Sequence, residues 1–202
     1  MKIIILSLLM LTGLNYATAQ DFSYGVITGV NVYDIEIDGP LIASDGRSGL
    51  NIGGFAEYQL NSSFGVRGNL LYSNVKENDF GIIEGSTLTP TYSEVNLKII
   101  QLHALVRYDL NKQYNKGFYL TGGLRINYNL SAKAGDKNLE EFYNKANLGA
   151  MLGFGVNFAK HFGLELIPEV NLTNTINSNE NKSRNFGFYT NLTVNLESLF
   201  RK

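Results

Sequence analysis

From Asp21 to the C-terminus of this 202-residue chain, large apolar side chains alternate with small or polar ones. The run Phe118-Tyr119-Leu120-Thr121-Gly122-Gly123-Leu124-Arg125-Ile126-Asn127-Tyr128-Asn129-Leu130 shows it best: even positions are apolar or Gly, and odd ones carry Tyr, Thr, Gly, Arg and Asn. A period of two is the strand period, because successive side chains point to opposite faces of a sheet. The pattern predicts eight strands, at 22–33, 49–60, 64–76, 94–110, 117–131, 146–159, 162–174 and 185–198. Each is long enough to cross a bilayer at a tilt, which takes about 9–11 residues.

The N-terminus precedes this pattern with Lys2, the apolar run Ile3 to Leu14, and the small residues Ala17-Thr18-Ala19. These read as the three parts of a secretory signal peptide, predicted at 1–19 and followed by a single domain at 20–202. The apolar run is shorter than the roughly 20 residues a membrane-spanning helix needs. The chain has no cysteine, which excludes disulfides, thiol chemistry and anchoring through a lipidated N-terminal Cys. A net charge of −1 without a basic run gives nucleic acid nothing to bind. An exported domain without staples depends on its sheet alone, or on a membrane.

The connections alternate in length. Asn61-Ser62-Ser63, Asn111 to Lys116 and Lys160-His161 are tight, whereas Asp34 to Ser48, Glu77 to Ser93, Ala132 to Lys145 and Thr175 to Arg184 are long and polar. Tight turns and both termini therefore share one end of the sheet. Short periplasmic turns with long extracellular loops are the layout of outer-membrane barrels. The expectation is an all-β, eight-stranded antiparallel up-and-down transmembrane β-barrel with both termini periplasmic.

Alternation alone does not say which face looks outward. One face carries Leu50, Ile52, Ala56, Tyr58, Val66, Leu70, Tyr72, Leu152, Phe154, Phe186 and Phe188; the other is rich in Gly, Asn and charge. An eight-stranded barrel has a lumen only wide enough for side chains, so small residues suit its inside. Glu57, Arg67, Arg107, Asp109, Arg125, Glu165, Glu169 and Glu197 all share the small-residue parity. An Arg on the lipid face costs roughly 2–4 kcal/mol at the midplane, so the reverse assignment costs well above ~5 kcal/mol in sum. Outward Tyr24, Tyr58, Phe64, Tyr108, Phe118, Phe158 and Phe162 cluster at the turn end, and Tyr72, Tyr128 and Phe186 at the loop end, as two aromatic girdles would.

The sheet segments Leu50-Asn51-Ile52-Gly53-Gly54-Phe55-Ala56-Glu57-Tyr58, Gly68-Asn69-Leu70-Leu71-Tyr72-Ser73, Ile100 to Tyr108 and Gly149 to Val156 carry a family likeness. Through them the chain resembles the PorT-like outer-membrane β-barrel proteins of Bacteroidetes, across nearly all of the mature region. It departs at His103, where such proteins often have proline, and at Ile167-Pro168, where an Arg-Tyr pair is common. The resemblance implies fold and address; it brings no shared catalytic residues.

Chemistry has few places to reside. His103 falls on the lumen parity with Gln101 and Arg107, and inward Ser73 is a conceivable nucleophilic partner. A base must lie within hydrogen-bond reach of its nucleophile, and a lumen histidine satisfied by its neighbours is the simpler expectation. His161 reads as plain turn surface. Asp34-Ile35-Glu36-Ile37-Asp38-Gly39 with Asp45 echoes a calcium loop, but Glu36 and Asp45 depart from it, and alternating Ile and acid also fits a strand extension above the membrane. Asp136 to Tyr143 predicts a short helix with Leu139, Phe142 and Tyr143 on one side, folded over the barrel mouth or offered to a partner. Pro168 predicts a local bulge. No catalytic, cofactor or metal residue is singled out.

The expected role is a small, non-enzymatic barrel in contact with outer-membrane lipid, acting through its long loops or supporting the envelope. Two other readings make it a lipid-modifying enzyme using His103, or a soluble lipocalin-like periplasmic carrier with the apolar face inward.

Overall fold

The computed structural model describes residues 22–38, 42–43, 47–84, 87–159, 161–177 and 182–200. The signal-peptide segment 1–19 lies outside them. Eight long strands follow in order: β1 Phe22–Asp38, β2 Arg47–Gln59, β3 Phe64–Glu84, β4 Thr87–Asp109, β5 Gly117–Ala134, β6 Ala146–Phe158, β7 Phe162–Asn171 and β8 Lys182–Asn195. Each pairs antiparallel with the next, and β8 returns to β1 from Gly25↔Asn195 to Asp38↔Lys182. The sheet is thus a closed barrel without an open edge across its waist, so its backbone donors are paired where water is absent.

The face assignment holds. Leu50, Ile52, Leu152 and Phe186 are 62–72% exposed on the outside, while Glu57, Asp109, Arg125 and Glu165 are at most 1% exposed inside. An apolar-inward carrier is therefore overturned: the apolar surface is the outer wall. Phe22 joins the turn-end girdle, 6.3 Å from Tyr24, and Phe64–Tyr108 and Phe158–Phe162 pack as further aromatic pairs. From Phe118 to Tyr128 on β5 is ten residues, or about 25 Å of height at ~3.3 Å per residue and a tilt near 40°. That matches the hydrocarbon band of an outer-membrane barrel.

Inward glycines draw the strands together. A Cβ on Gly153 would lie 2.6 Å from the Ile167 Cα, and one on Gly123 2.9 Å from the Leu105 Cα, so only Gly fits there. This close approach accommodates the tight curvature of a small barrel.

Four expectations need correction. The expected loop Glu77 to Ser93 is largely strand, since β3 and β4 are 21 and 23 residues long and pair out to Glu84↔Thr87 with one register shift at Phe80/Gly81. The acidic segment 34–38 likewise continues β1 along β8, and Ile42–Ala43 adds a two-residue strand to β3. At the other end β8 stops at Asn195, not at 198, because a short helix α1 (Leu196–Phe200) begins there. Asn195 Oδ1 accepts the Ser198 backbone N–H at 3.1 Å, the hydrogen bond of an N-cap, and this takes Glu197 out of the lumen strands. Pro168 makes no bulge: β7 keeps one register with β6 across the unpaired stretch opposite Leu152 and Gly153, and pairs with Phe188 on β8. Proline removes a ladder bond without requiring an inserted residue.

Candidate functional site

Because inward positions recur every second residue on eight paired strands, the lumen is assembled in layers set by register. The β2–β3 hairpin shows how. Its short turn, in which Asn61 Oδ1 accepts the Ser63 and Phe64 N–H groups at 2.9 and 3.0 Å, places Glu57 opposite Arg67 and, further along, Arg47 opposite Glu77.

The layer nearest the turns is ionic. Arg107 forks onto Asp109 with two hydrogen bonds of 2.8 Å and lies 3.5 Å from Glu57. Arg67 donates to Glu165 at 2.6 Å and sits 4.0 Å from the other Glu57 oxygen. The Tyr119 hydroxyl donates to Glu165 at 2.7 Å, and its ring lies 3.7 Å beneath the Arg107 guanidinium. Arg67 covers Phe55 in the same way. In the turn below, Tyr114 packs against Arg107, and burial together with Glu57 raises its phenol above the ordinary range. Beside this layer is a cavity of about 20 Å³, lined by Arg67, Arg107, Asn157 and Thr193. That is room for about one water molecule.

Apolar clusters separate the charged layers. Ile27, Phe55 and Leu71 form one, and Tyr33, Leu105, Met151, Ile167 and Tyr189 another, with the Tyr33 and Tyr189 hydroxyls 2.6 Å apart. A second ionic layer follows, in which Arg125 is bonded to Glu169, to Asn171 and, at 2.8 Å, to Asn147. Near the loops Arg47 Nε donates to Glu77 at 2.9 Å, and the Tyr143 hydroxyl donates to the same carboxylate at 2.7 Å. Among the described residues the lumen thus holds Arg47, Arg67, Arg107 and Arg125 against Glu57, Glu77, Asp109, Glu165 and Glu169. Buried charges are tolerated only when paired in this way.

A cap closes the loop end. Lys137–Asn138 pairs with β5, a single 3-10 turn spans Glu140–Phe142, and Leu139 and Tyr143 turn inward onto Val75, Val95, Leu97 and Ile176. The Asn144 N–H donates to the Thr175 carbonyl at 2.8 Å and the Asn177 N–H to the Phe142 carbonyl at 2.9 Å, which ties the β5–β6 and β7–β8 loops together. The predicted apolar patch is therefore split: Leu139 and Tyr143 cover the mouth, and Phe142 faces outward, 45% exposed. Burial and the adjacent Glu77 carboxylate raise the Tyr143 phenol above its ordinary range.

His103 and Ser73 are not brought together. His103 faces Asn69, Nδ1 to Nδ2 3.4 Å, and packs edge-on against Tyr189. Ser73 pairs four positions further along β4, at Ile99, and its hydroxyl is bonded to Asn51. Four residues of strand separate the two by about 13 Å. Both point into a filled lumen, away from any lipid substrate, so this pair cannot act as nucleophile and base. The simple expectation for His103 needs one change: its Nε2 has no hydrogen-bond partner among the described residues. His161 is not plain surface either; its Nδ1 lies 2.7 Å from the Ser198 hydroxyl, joining the last tight turn to α1. The side chains of the calcium-like segment 34–45 lie outside the described residues. Its backbone at 34–38 is extended and paired with β8. Among the described residues no cluster of three or more His, Asp or Glu side chains has the geometry to hold a metal.

The sequence pattern alone places Arg47, Glu77 and Tyr143 in loops. The signal that reaches the first two is the hairpin register, since the turn that sets Glu57 against Arg67 also sets Arg47 against Glu77.

Fold and site together define a small closed barrel with an apolar, aromatic-girdled outer wall and a filled polar lumen, the class that resides in outer membranes. A family model, the outer membrane protein beta-barrel domain, matches residues 18–177, and the chain belongs to that family. Among solved structures it is similar to Ail, the attachment invasion locus protein of Yersinia pestis, with a TM-score of 0.51 and 13% identity over 87% of this chain and 99% of that one. Neisserial surface protein A is similar with a TM-score of 0.50 and 15% identity, covering 85% of this chain and 96% of that one. OprG of Pseudomonas aeruginosa gives a TM-score of 0.48 at 15% identity, covering 87% and 95%. At such identities the first two likenesses establish the fold alone. No curated protein matches the chain. The protein is a small outer-membrane β-barrel.

Proposed function

We propose that the protein is a non-enzymatic surface barrel of the PorT-like kind, exported by a signal peptide at 1–19, whose role is carried by the strand extensions on its extracellular side. The observation that carries this reading is the contrast between a lumen filled layer by layer and strands that run far past the membrane. Beyond the girdle residue Tyr72, β3 continues for twelve residues and pairs with β4 along this stretch. That is about 40 Å of paired backbone at ~3.3 Å per residue, well beyond the height any bilayer requires. With the tight turns and both termini in the periplasm, these extensions and the two-loop cap face outward. A sheet built above the membrane serves contact with something outside it, as protruding loops on rigid scaffolds generally do. The structure of the Yersinia barrel was solved with the heparin analogue sucrose octasulfate bound; a barrel of this fold can therefore hold a large polar ligand.

The test is to replace residues 79–92 by a two-residue turn in the native host. The shortened barrel should reach the outer membrane and fold, yet fail to restore the surface attachment or envelope integrity that deletion of the gene impairs. Full restoration by the shortened protein, with failure of His103→Ala, would instead place the function inside the barrel.

A further inference from the structure

We propose that the outer wall of β3 to β6, just above the extracellular girdle, is a binding site for the phosphate groups of the outer-leaflet glycolipid. The register defines the place. Tyr72, Ile100, Tyr128 and Ala146 are consecutive cross-strand partners and form one row around this side of the barrel. Toward the turns, the outward positions of these strands are apolar, among them Leu70, Leu102, Ile126 and Leu152. Beyond the row lysines enter the outward face, Lys98 next to Ile100 on β4, Lys76 past Asn74 on β3 and Lys133 past Leu130 on β5. Lys98 stands opposite Asn74, Lys76 opposite Asn96, and Lys133 on the far side of Asn96. Lys98 is thus the diagonal neighbour of both Lys76 and Lys133, with about 7–8 Å for each step on one face of a sheet. Lys145 completes the arc, its Nζ 5.3 Å from the centre of the Tyr128 ring.

The charges there are unequal. Lys76 is held by Glu94 at 3.0 Å, and this contact keeps the Glu94 carboxyl below its usual range. Lys98, Lys133 and Lys145 are exposed and have no ion-pair partner among the described residues. Among the described residues the cap carboxylates Asp136, Glu140 and Glu141 form no ion pair with them. In the hydrocarbon each lysine would cost a few kcal/mol, falling to about 0–1 at the interface. Lys98 lies one outward step beyond Ile100, and Lys76 and Lys133 lie a step further, past Asn74 and Leu130, which puts the ammonium groups at headgroup depth. The anionic groups at that depth in the outer leaflet are the glycolipid phosphates. Lysines spaced about 7–8 Å apart on flexible stems can converge on one phosphate from neighbouring strands.

The proposal rests on the outward orientation given above, and the experiment separates the two. The chain has no cysteine, so Asp136→Cys labelled on intact cells by a membrane-impermeant maleimide checks the orientation by itself. Binding is then measured by native mass spectrometry in detergent with bisphosphorylated lipid A, dephosphorylated lipid A and inorganic phosphate as probes. Wild type should retain the bisphosphorylated lipid. Combined Lys98→Gln, Lys133→Gln and Lys145→Gln should weaken retention about 100-fold at low salt, from ~1 kcal/mol per lysine. Lys112→Gln with Lys116→Gln, in a turn at the opposite end, should leave it unchanged. Heat-dependent gel mobility confirms that each variant is folded. Equal binding of dephosphorylated lipid A, unchanged binding by the triple variant, or displacement by inorganic phosphate at low millimolar concentration would each overturn the site. Labelling that fails on intact cells would overturn the orientation instead.

Discussion

Arg125 is the sharpest place to test whether the lumen is a sealed structural core. Its guanidinium is 1% exposed and serves three acceptors: Glu169, Asn171 and Asn147. Arg125→Ala leaves the Glu169 carboxylate, itself 2% exposed, without its counter-charge. Breaking one side of a buried pair costs about 3–5 kcal/mol, because the remaining ion stays desolvated. Replacing both members by apolar groups of similar volume removes that penalty. In Arg125→Met with Glu169→Met only the cost of the two asparagine acceptors left without a donor remains, about 1–3 kcal/mol each and common to both variants. The measurement is urea unfolding of the three proteins in lipid vesicles, scored by the folded fraction on unheated gels. The double variant should be more stable than Arg125→Ala by at least ~2 kcal/mol, since only the single variant keeps an unpaired buried charge. A single variant within about 1 kcal/mol of wild type would mean that water reaches Glu169. The description of a filled, sealed lumen would then be wrong.

Further outcomes follow from the wall, the close strand approaches and the cap. Leu152→Arg, on the outward face of β6, should destabilise the barrel by about 2–4 kcal/mol in vesicles, which the same unfolding assay reads. Gly153→Ala should cost about 1–3 kcal/mol, since its Cβ meets the backbone of β7. Gly68→Ala, whose nearest neighbour would be 4.0 Å away, should be within ~0.5 kcal/mol of wild type. The raised Tyr143 phenol stabilises the cap fully below the ordinary phenol range near pH ~10 and progressively less as pH rises beyond it. Limited proteolysis of the loops 135–145 and 172–177 should therefore accelerate above about pH 10, and Tyr143→Phe should abolish that step.

The waist of this barrel is legible in the sequence because each strand there meets two unlike solvents. Lipid demands Leu50, Ile52 and Leu152 on one side, and the crowded lumen demands Gly, Asn and paired charge on the other. Above the girdle that contrast ends. The outward positions Asn74, Lys76 and Asn78 are polar there, so polar and apolar residues no longer alternate from face to face, and 77–93 read as a connection. Arg47 and Glu77 are hidden for the same reason, although the hairpin register that pairs Glu57 with Arg67 reaches them. Tyr143 has no such signal, because its position depends on two loops meeting through Ile176. Pro168 and Asn195 show the limits of residue-level rules: the proline gives up its bond without a bulge, and the asparagine ends a strand by capping a helix.

The central claim is a closed barrel resident in the outer membrane, and gel mobility tests it most directly. The protein should be recovered from the outer-membrane fraction, and after extraction in mild detergent it should migrate faster unheated than boiled. Recovery in the soluble periplasmic fraction, with one mobility in both conditions, would contradict it.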